Sequence, residues 1–533
     1  MISRSLLLSF LSLAFAFSAH AEAKRYLVQF KSSGKFQAQR LVLNTHAKVT
    51  DNLNNINMMV VESDDALSMQ MLKSNPDIAI VEEEIFHAPP RPIIARQRAK
   101  THELPVAAVH DQMEMPWGIK AVNAPQAWNT TRGAGARVMV LDTGIDQGHP
   151  ALAGQIEAVQ NFTGGDANDV TDEVGHGSHV SGTIAANGLN GGLVGVAPEA
   201  KLLMGKVCTP IGCSNIAIAS GLNWAVQQKV DVVSMSLGGP IMTPAEGAAV
   251  QSCEDNGVLV VAASGNDGKA QVSYPAAAPT AFAVGAVDET LAKADFSNWG
   301  PQLAIMGPGV DVISSVPRGT GREAAIQVND DGKGLQVVNS MAMSGTPSVA
   351  AVNNDLVFCN LGDKNDFPPE VKGKFALINR GTIAFADKVT NAIAAGAAGV
   401  LIANNAPGLI VGTVVATEGT EVAIPAVMIE QSVGAAAQAA LAAGTPVNAT
   451  IAVNATDYAS FEGTSMATPH VSGVAALVRA ANKTLTPAQV RTILKSTATA
   501  LTPNDQNQMG AGIVNAEAAV ANAGFLPLRQ VAN

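Results

Sequence analysis

The sequence predicts an α/β protein built on a doubly wound parallel sheet, with a small α+β domain before it and a further domain inserted into it. Apolar runs such as VMVLD, VDVVSMSL and VLVVAAS alternate with helical patterns such as SNIAIASGLNWAVQQ, which is typical of parallel strands and crossover helices. Three other strand patterns precede this region, at 26–31, 56–63 and 78–86. About 140 residues separate Pro317 from Asp457, far more than an ordinary loop, and this length indicates the insertion.

The first residues, 1–21, have the composition of a secretory signal peptide. Arg4 gives a positive start, the apolar run LLLSFLSLAFAF follows, and Ala19-His20-Ala21 forms a cleavage site of small residues. Later apolar stretches are interrupted by Gly, Asn or charged residues, so they predict no membrane span. The sequence therefore predicts a secreted protein, extracellular or periplasmic.

Residues 22–88 hold the three early strand patterns, with helical stretches on either side of the middle one. The Pro- and Arg-rich residues 89–111 follow and are typical of an exposed linker suited to proteolytic cleavage. An independent small binding module is an alternative interpretation of residues 22–88.

The charge of the chain excludes one broad class of partner. The 533 residues include 33 Lys and Arg against 44 Asp and Glu, which gives a net charge of −11, and the acidic excess lies after residue 110. Nucleic-acid binding depends on clustered positive charge, so we expect no nucleic-acid partner. With 47% hydrophobic residues, the chain has enough apolar side chains for several cores.

Four cysteines in an exported chain are compatible with two disulfides, which allow three pairings. Cys208 and Cys213 flank a Thr-Pro-Ile-Gly turn, so we expect a local bond between them. Cys253 and Cys359 remain, and the sequence leaves their pairing open. The spacings do not match a zinc site, because there is no second close pair with histidines.

Three separated segments carry an acid, a base and a nucleophile. Asp142 in LDTGID ends a predicted buried strand, His176 lies in GHGSHVSGT, and Ser465 in GTSMATPHVSG begins a predicted helix. A serine hydroxyl needs an imidazole to take its proton, and the imidazole needs a buried carboxylate to hold its tautomer and stabilise its cation. The positive end of a helix favours negative charge beside such a serine. These residues predict nucleophilic catalysis.

In the order Asp, His, Ser, these segments resemble the subtilisin-like serine protease (subtilase) family. The resemblance implies the subtilisin-like fold and an endopeptidase that cleaves proteins through an acyl-enzyme. It also implies an oxyanion hole made by the side chain of Asn266 and the backbone N–H of Ser465. Two extended segments resemble those that hold the substrate backbone, and their candidate binding residues are Ser236, Leu237, Gly238, Ala263, Ser264 and Gly265.

The resemblance also locates the S1 pocket. The small Ser273 in QVSYPAAAPT lies where relatives form the base of the pocket, which predicts a roomy, largely apolar site for large hydrophobic or aromatic P1 residues. Asp267 near the rim of the pocket would also allow Lys or Arg as the P1 residue of the substrate. A processing protease specific for basic residues is a second interpretation, but SLGGP and AASGND lack the acidic clusters that it needs. A non-catalytic binding scaffold is a third, which the four retained catalytic positions disfavour.

The rest of the chain also resembles parts of subtilases. Residues 22–88 resemble the inhibitor-type propeptide, which implies an autoprocessed zymogen inhibited by its own propeptide, and MPWGIKAVNAPQAW resembles the start of a mature enzyme, so processing is expected near residue 110. The catalytic domain would then span 112–320 and 456–533. Residues 321–455 resemble an inserted protease-associated (PA) domain, whose role in substrate access, protein binding or shielding the sequence leaves open. We expect a monomer that acts on protein and peptide substrates.

Two departures from the family pattern concern cysteines and calcium. The PA pattern RG-x-Cys-x-Phe appears here with Ile383 at the cysteine, which argues against the usual disulfide and implies another partner for Cys359. A family calcium ligand, the Asp after His-Pro, is Ala151 here, and the loop 187–194 offers few hard oxygens. We therefore expect no cofactor, assign no metal ligand, and expect calcium binding to be lost or weakened.

Other titratable residues near the motifs have structural interpretations. The family pattern assigns the base to His176, so His179 on the same helix is expected to be structural. Asp146 and His149 are alternative partners near Asp142, and the resemblance makes them surface-turn residues.

Overall fold

The structure, a computed structural model, describes residues 23–31, 40–42, 44, 47–90, 93–94, 115–189, 192–330, 332, 334–410, 412–415 and 420–524. The predicted signal peptide and most of the predicted linker, including the processing site near residue 110, lie outside the described residues. The chain divides into two compact units, one ending at Glu84 and the other beginning at Ile85.

The first unit is a four-stranded antiparallel sheet with a helix packed on it. Its elements are β1 (Lys24–Phe30), β2 (Lys48–Leu53), β3 (Met58–Ser63), α1 (Ala66–Ser74) and β4 (Ile78–Glu83), in the strand order β2-β3-β1-β4. The three predicted strands are confirmed within a few residues. Strand β2 is not evident in the sequence, because Leu53 is its one buried side chain and no apolar run marks it.

The first part of the second unit contains the predicted parallel sheet. In chain order its elements are β5 (Phe86–His87), β6 (Ile93–Ile94), α2 (Trp117–Ala121), α3 (Ala124–Ala127), β7 (Arg137–Asp142), β8 (Ile156–Asn161), α4 (His176–Ala185), β9 (Lys201–Lys206), β10 (Cys208–Thr209), β11 (Gly212–Ser214), α5 (Asn215–Gln228), β12 (Val232–Met235), α6 (Pro244–Asp255), β13 (Leu259–Ala263), β14 (Ala281–Val287), β15 (Leu303–Pro308) and β16 (Val312–Ser315). Seven of these strands form one sheet in the order β15-β14-β13-β12-β7-β9-β8, and each neighbouring pair is parallel.

The central strands of this sheet are the ones that the sequence predicts. Every side chain of β12 and β13 is buried, because helices cover both faces of the sheet, and this burial explains their unbroken apolar runs. The edge strands β8 and β15 are not predicted. The side chains of β8 are mostly half-buried, and β15 ends in Gly-Pro, so neither has the pattern of a central strand.

The insert forms its own sheet and its own cores. Its elements are β17 (Gly321–Asn329), β18 (Gln336–Val338), β19 (Ser340–Ala342), β20 (Val349–Phe358), β21 (Phe375–Asn379), α7 (Phe385–Ala394), β22 (Gly399–Ala403), β23 (Ala426–Ile429), α8 (Gln431–Ala442) and β24 (Asn448–Thr456). The eight strands have the order β18-β17-β24-β20-β21-β22-β23-β19. Strands β17 and β24, the first and last of the insert in chain order, pair antiparallel with Gly321 opposite Thr456. The insert therefore begins and ends at one point.

After the insert the chain returns to the part of the second unit that contains the parallel sheet, but its described residues there add no strand to that sheet. Its remaining elements are β25 (Tyr458–Glu462), α9 (Thr464–Ala481), α10 (Pro487–Ser496), α11 (Gln506–Met509) and α12 (Ala516–Ala523). Strand β25 pairs antiparallel with β16, which precedes the insert. The first fifteen residues of α9, 464–478, are all buried, because this helix runs through the main hydrophobic core. The helix that begins at the predicted nucleophile is thus among the most firmly held in the molecule.

The cysteines follow the prediction in part. Cys208 and Cys213 form the predicted disulfide across the paired strands β10 and β11. Cys253 and Cys359 are buried free thiols, and burial raises the pKa of each to about 12. The expectation that Cys359 needs another partner is wrong, because its side chain packs in an apolar core of the insert.

In the described part of the chain, no helix combines the length and the apolarity that crossing a membrane requires.

Candidate active site

Asp142 lies where the order of the parallel sheet reverses. It is the last residue of β7, which has β12 on one side and β9 on the other, so it ends a strand at the topological switch point. Its side chain is fully buried. Oδ1 accepts hydrogen bonds from the backbone N of Thr143 at 2.7 Å and from Nδ1 of His176 at 2.8 Å. The structure therefore brings the predicted acid and base together.

His176 is the first residue of α4 and is 1% exposed. Gly175 before it has a φ of 85°, a conformation that glycine adopts without strain. A carboxylate only accepts hydrogen bonds, so Nδ1 carries the proton shared with Asp142 and Nε2 keeps its lone pair. Nε2 has no hydrogen-bond partner among the described residues. In the neutral imidazole, Nε2 is therefore the nitrogen that can accept a proton.

Ser465 is the second residue of α9 and is 9% exposed. Its Oγ donates to the backbone O of Ser236 at 3.1 Å, and Oγ of Ser236 donates to the backbone O of Ser465 at 2.7 Å. These reciprocal bonds hold the start of α9 against the residue that follows β12, the neighbour of β7 in the sheet. In this conformation the hydroxyl is bonded to Ser236 and not to His176.

The side chain of Asn266 is oriented by the start of α9. Its Oδ1 accepts from the backbone N of Thr464 and from Oγ1 of the same residue, both at 2.8 Å. These bonds identify the oxygen, so Nδ2 is left as a donor. Nδ2 lies 3.3 Å from the position that a Cβ on Gly463 would take, and Gly463 has a φ of 151°. The amide N–H group therefore lies beside the turn that leads into Ser465.

The predicted residues of the S1 pocket form a cluster at the end of β13. Ala263 is the last residue of that strand, and Ser273 donates its backbone N–H to the backbone O of Ser264 at 2.8 Å. A Cβ on Gly265 would lie 2.4 Å from Oγ of Ser273, so only glycine fits at this position. Asn298, which the sequence analysis does not identify, donates from Nδ2 to Oγ of Ser273 at 3.4 Å.

Two strand-like segments lie near the predicted S1 residues. Ser236, Leu237 and Gly238 follow β12, and the next residue, Gly239, exchanges two backbone hydrogen bonds of 2.9 Å with Tyr274. Facing them, β5 pairs antiparallel with β11, with His87 opposite Cys213.

Residues 85–90 and 93–94 are hydrogen-bonded to strand edges near this region. Ile85 accepts the backbone N–H of Asn215 at 3.1 Å, just before β5. Strand β6 pairs antiparallel with β25, with Ile93 opposite Glu462, three residues before Ser465. A segment that follows the first unit is thus hydrogen-bonded to the edges that lead to the nucleophile.

Asp172 is a buried carboxylate that the sequence analysis overlooks. It accepts the hydroxyl of Thr143 at 2.7 Å and the backbone N–H groups of Gly175 and Ser178, both at 2.8 Å. Burial raises the pKa of its carboxyl group above the ordinary value, while these bonds oppose that rise. Its position four residues before His176, at a helix start, is the available sequence signal. Asp172 fixes the end of α4 that carries the base.

Two other buried histidines have structural contacts. The Nε2 atom of His179 bonds to the backbone O of Val312 at 2.8 Å, its ring stacks on Phe461 at 4.4 Å, and burial with the nearby His176 lowers its pKa to about 3. Burial also lowers the pKa of His470 to about 4. Both imidazoles are therefore neutral near pH 7.

The alternative partners of the base are engaged elsewhere. Asp146 accepts from Nε of Arg318 at 2.8 Å. The prediction that His149 is a surface-turn residue is wrong, because its side chain is fully buried. Nδ1 of His149 accepts the backbone N–H of Ala151, and its Nε2 bonds to the backbone O of Asp457 at 2.9 Å, where the chain returns from the insert.

An open parallel sheet that ends in a buried Asp–His pair, with a serine at the start of a helix that packs on the helix of that histidine, defines the class of serine hydrolases. Comparison with known proteins specifies the class further: the Subtilase family model matches residues 133–352, and the PA domain model matches residues 346–437. The chain belongs to the subtilase family and is a serine protease. The predicted family, fold class and PA domain are confirmed.

Individual relatives agree with this assignment. The major intracellular serine protease of Bacillus subtilis (strain 168) is 44% identical over 223 residues, which cover 39% of this chain and 69% of that protein. Subtilisin E of the same organism is 34% identical over 309 residues, which cover 57% of this chain and 71% of the relative. The crystal structure of the psychrophilic subtilisin-like protease Apa1 from the Antarctic psychrotroph Pseudoalteromonas sp. AS-11 has a TM-score of 0.55 and 32% identity, and the match covers 76% of this chain and 97% of that one.

Proposed function

We propose that this subtilase is a secreted endopeptidase, made as an autoprocessed zymogen, in which Asp142, His176 and Ser465 carry out catalysis. The observation that carries the proposal is the buried 2.8 Å bond between Nδ1 of His176 and Oδ1 of Asp142. That bond holds the imidazole in the tautomer that a general base needs, with Nε2 unprotonated.

Acylation begins when the hydroxyl of Ser465 turns from the carbonyl of Ser236 to His176. Nε2 takes the proton while Oγ bonds to the scissile carbonyl carbon, and the C=O electron pair moves onto the oxygen. The amide of Asn266 and the backbone N–H of Ser465 stabilise this oxyanion. The C–N bond then breaks, the imidazolium gives its proton to the leaving amine, and an ester remains on Ser465. Water, deprotonated by His176, hydrolyses that ester.

The substrate backbone is proposed to bind as an added strand between Leu237–Gly238 and β11. Backbone groups on both edges supply affinity that is independent of the substrate sequence, which suits a protease with broad protein substrates. Ser264, Gly265 and Ser273 form the base of S1. Because these side chains are small, the pocket has room for large apolar P1 residues.

The zymogen proposal is supported by strands β5 and β6. Strand β5 is hydrogen-bonded to β11 and strand β6 to β25, so both lie along the edges proposed for the substrate. A segment in that position competes with substrate until it is cut. The proposal of secretion depends on the pattern of residues 1–21.

A serine-directed phosphonate with a phenylalanine-like P1 group tests this function. We expect it to modify Ser465 alone, as mapped by peptide mass spectrometry, and to abolish casein hydrolysis in proportion to the fraction modified. The same reagent with a glutamate-like P1 group, used at equal concentration, is the matched control and should react much more slowly. Hydrolysis that persists after complete modification of Ser465 would exclude the proposed nucleophile.

Contacts of Ala151 and Asn187 support the expectation that calcium binding is lost or weakened at the family calcium loop. Ala151 packs in an apolar cluster with Ala186 and Leu193. Asn187 donates from Nδ2 to the backbone O of Pro150 at 3.0 Å, and its Oδ1, the atom that could bind calcium, accepts the backbone N–H of Leu189 at 2.9 Å. We propose that the residues around Ala151 and Asn187 are held by contacts within the protein and not by calcium.

Chelation should therefore change stability little. A resident ion at 100 times its Kd stabilises the native state by about 2.7 kcal/mol, so its removal would lower Tm by several degrees. We expect excess EDTA to shift the Tm of the phosphonate-inhibited enzyme by less than about 2 °C, measured by scanning calorimetry. A drop of about 3 °C or more that added Ca²⁺ reverses would contradict the proposal.

A further inference from the structure

A cleft beside the proposed substrate edges contains a buried carboxylate among apolar side chains. Its lining includes Ile218, Leu237, Met242 and Val250, and Glu246 reaches into it with only 4% of its surface exposed. A carboxylate among apolar walls is costly unless a hydrogen-bond donor faces it. The chemistry of this cleft therefore depends on what supplies that donor.

The orientation of Glu246 is set by its own helix. It is the third residue of α6, and Thr243 is the N-cap. Oε2 of Glu246 accepts the backbone N–H of Thr243 at 2.8 Å, and Oγ1 of Thr243 accepts the backbone N–H of Glu246 at 3.3 Å. This reciprocal capping box holds one carboxylate oxygen at the helix start. The other oxygen, Oε1, is thereby held in the cleft before any peptide arrives.

The donor comes from the segment that lies along the cleft. Nε2 of His87 is 2.7 Å from Oε1 of Glu246, and the imidazole is nearly buried. His87 is placed by its strand pairing with Cys213, and its Nδ1 lies 2.7 Å from the position that a Cβ on Gly239 would take. The imidazole thus fills a space shaped by a strand edge, a glycine and a fixed carboxylate.

We propose that Glu246 makes this cleft a subsite that selects substrate side chains with an N–H donor, namely the imidazole of His or the cations of Arg and Lys. The inference rests on the proposed function, because it takes the segment around His87 as a guide to how a substrate binds. A substrate strand that pairs with β11 as His87 does places one side chain against Glu246. An apolar side chain there buries Oε1 without a donor, whereas His, Arg or Lys pairs with it.

The test is a fluorogenic peptide library in which each position before the scissile bond is varied in turn. For the mature wild-type enzyme we expect one position at which His, Arg and Lys raise kcat/KM about 10- to 100-fold over Leu. Glu246→Gln keeps an acceptor for the capping box and removes the charge, so the preference for Arg and Lys should fall below about threefold. Glu246→Leu should reverse it in favour of apolar residues.

Asp255→Asn is the matched control, because it removes one negative charge from an exposed position of the same helix. It should retain the wild-type preference. The inference is overturned if the wild-type enzyme cleaves the library but prefers apolar residues, or shows no preference, at every position. That outcome leaves the proposed function intact. Retention of the preference in both Glu246 variants overturns it as well. A wild-type enzyme that cleaves no peptide contradicts the proposed function and the inference together.

Discussion

Alanine at Ser465 is expected to lower kcat by about 10⁶ and to leave the precursor uncut, a loss of the size known for the nucleophile of subtilisins. Without Oγ there is no atom to form the acyl-enzyme, and strands β5 and β6 keep their places along β11 and β25. Casein hydrolysis gives kcat, and gel electrophoresis of the purified precursor reports processing.

The control for Ser465→Ala is Ser472→Ala on the same helix. Oγ of Ser472 is buried and donates to Oγ of Ser234 at 2.9 Å, so this change removes one hydroxyl from α9 without touching the proposed nucleophile. It should cost about 1 kcal/mol of stability and retain processing and activity. If the precursor with Ser465→Ala still processed itself at the wild-type rate, another protease or another nucleophile would have to be responsible.

Asparagine at Asp142 is expected to lower kcat by about 10⁴ with little change in fold, as in other Asp-His-Ser type enzymes. The asparagine fits the same buried space, but its NH₂ group donates to Nδ1 of His176. The imidazole proton then moves to Nε2, where it blocks the acceptance of the serine proton. The cation formed during catalysis also loses the negative charge beside it.

Circular dichroism and Tm check the fold of Asp142→Asn, and initial rates give kcat. Asp146→Asn is the control, because it changes a carboxylate four residues away whose partner is the exposed Arg318. A surface ion pair of this kind contributes about 0–1 kcal/mol, so activity should be close to wild type. A loss below tenfold in Asp142→Asn would show that the tautomer of His176 is held by some other group.

The predictions for Ser465 and Asp142 also depend on hydrogen bonds that position the catalytic residues without taking part in the reaction. Asp172 bonds to Thr143, whose Oγ1 in turn accepts the backbone N–H of Gly177 at 2.9 Å. This chain of bonds joins the residue after Asp142 to the helix that begins at His176. The buried pair therefore keeps its 2.8 Å separation through a network whose members lie on two different elements.

The sequence predicts the features whose cause is local. Asp142, His176 and Ser465 stand in segments that end a strand or begin a helix, and the central strands are marked by apolar runs because both of their faces are covered. The disulfide between Cys208 and Cys213 is also local, since it closes a short turn. The edge strands β2 and β8 are missed because one or both of their faces meet solvent and leave no apolar run.

By itself, then, the sequence determined the family, the order of the catalytic residues and the presence of an insert, because each depends on short segments or on spacing along the chain. Tertiary structure alone decided that Cys359 stays unpaired, that His149 is buried and that His87 faces Glu246. The reason is the same in each case. The surroundings of these side chains come from residues far apart in the chain, and only the packed tertiary structure determines which of those residues become neighbours. The proposed subsite at Glu246 belongs to this second group.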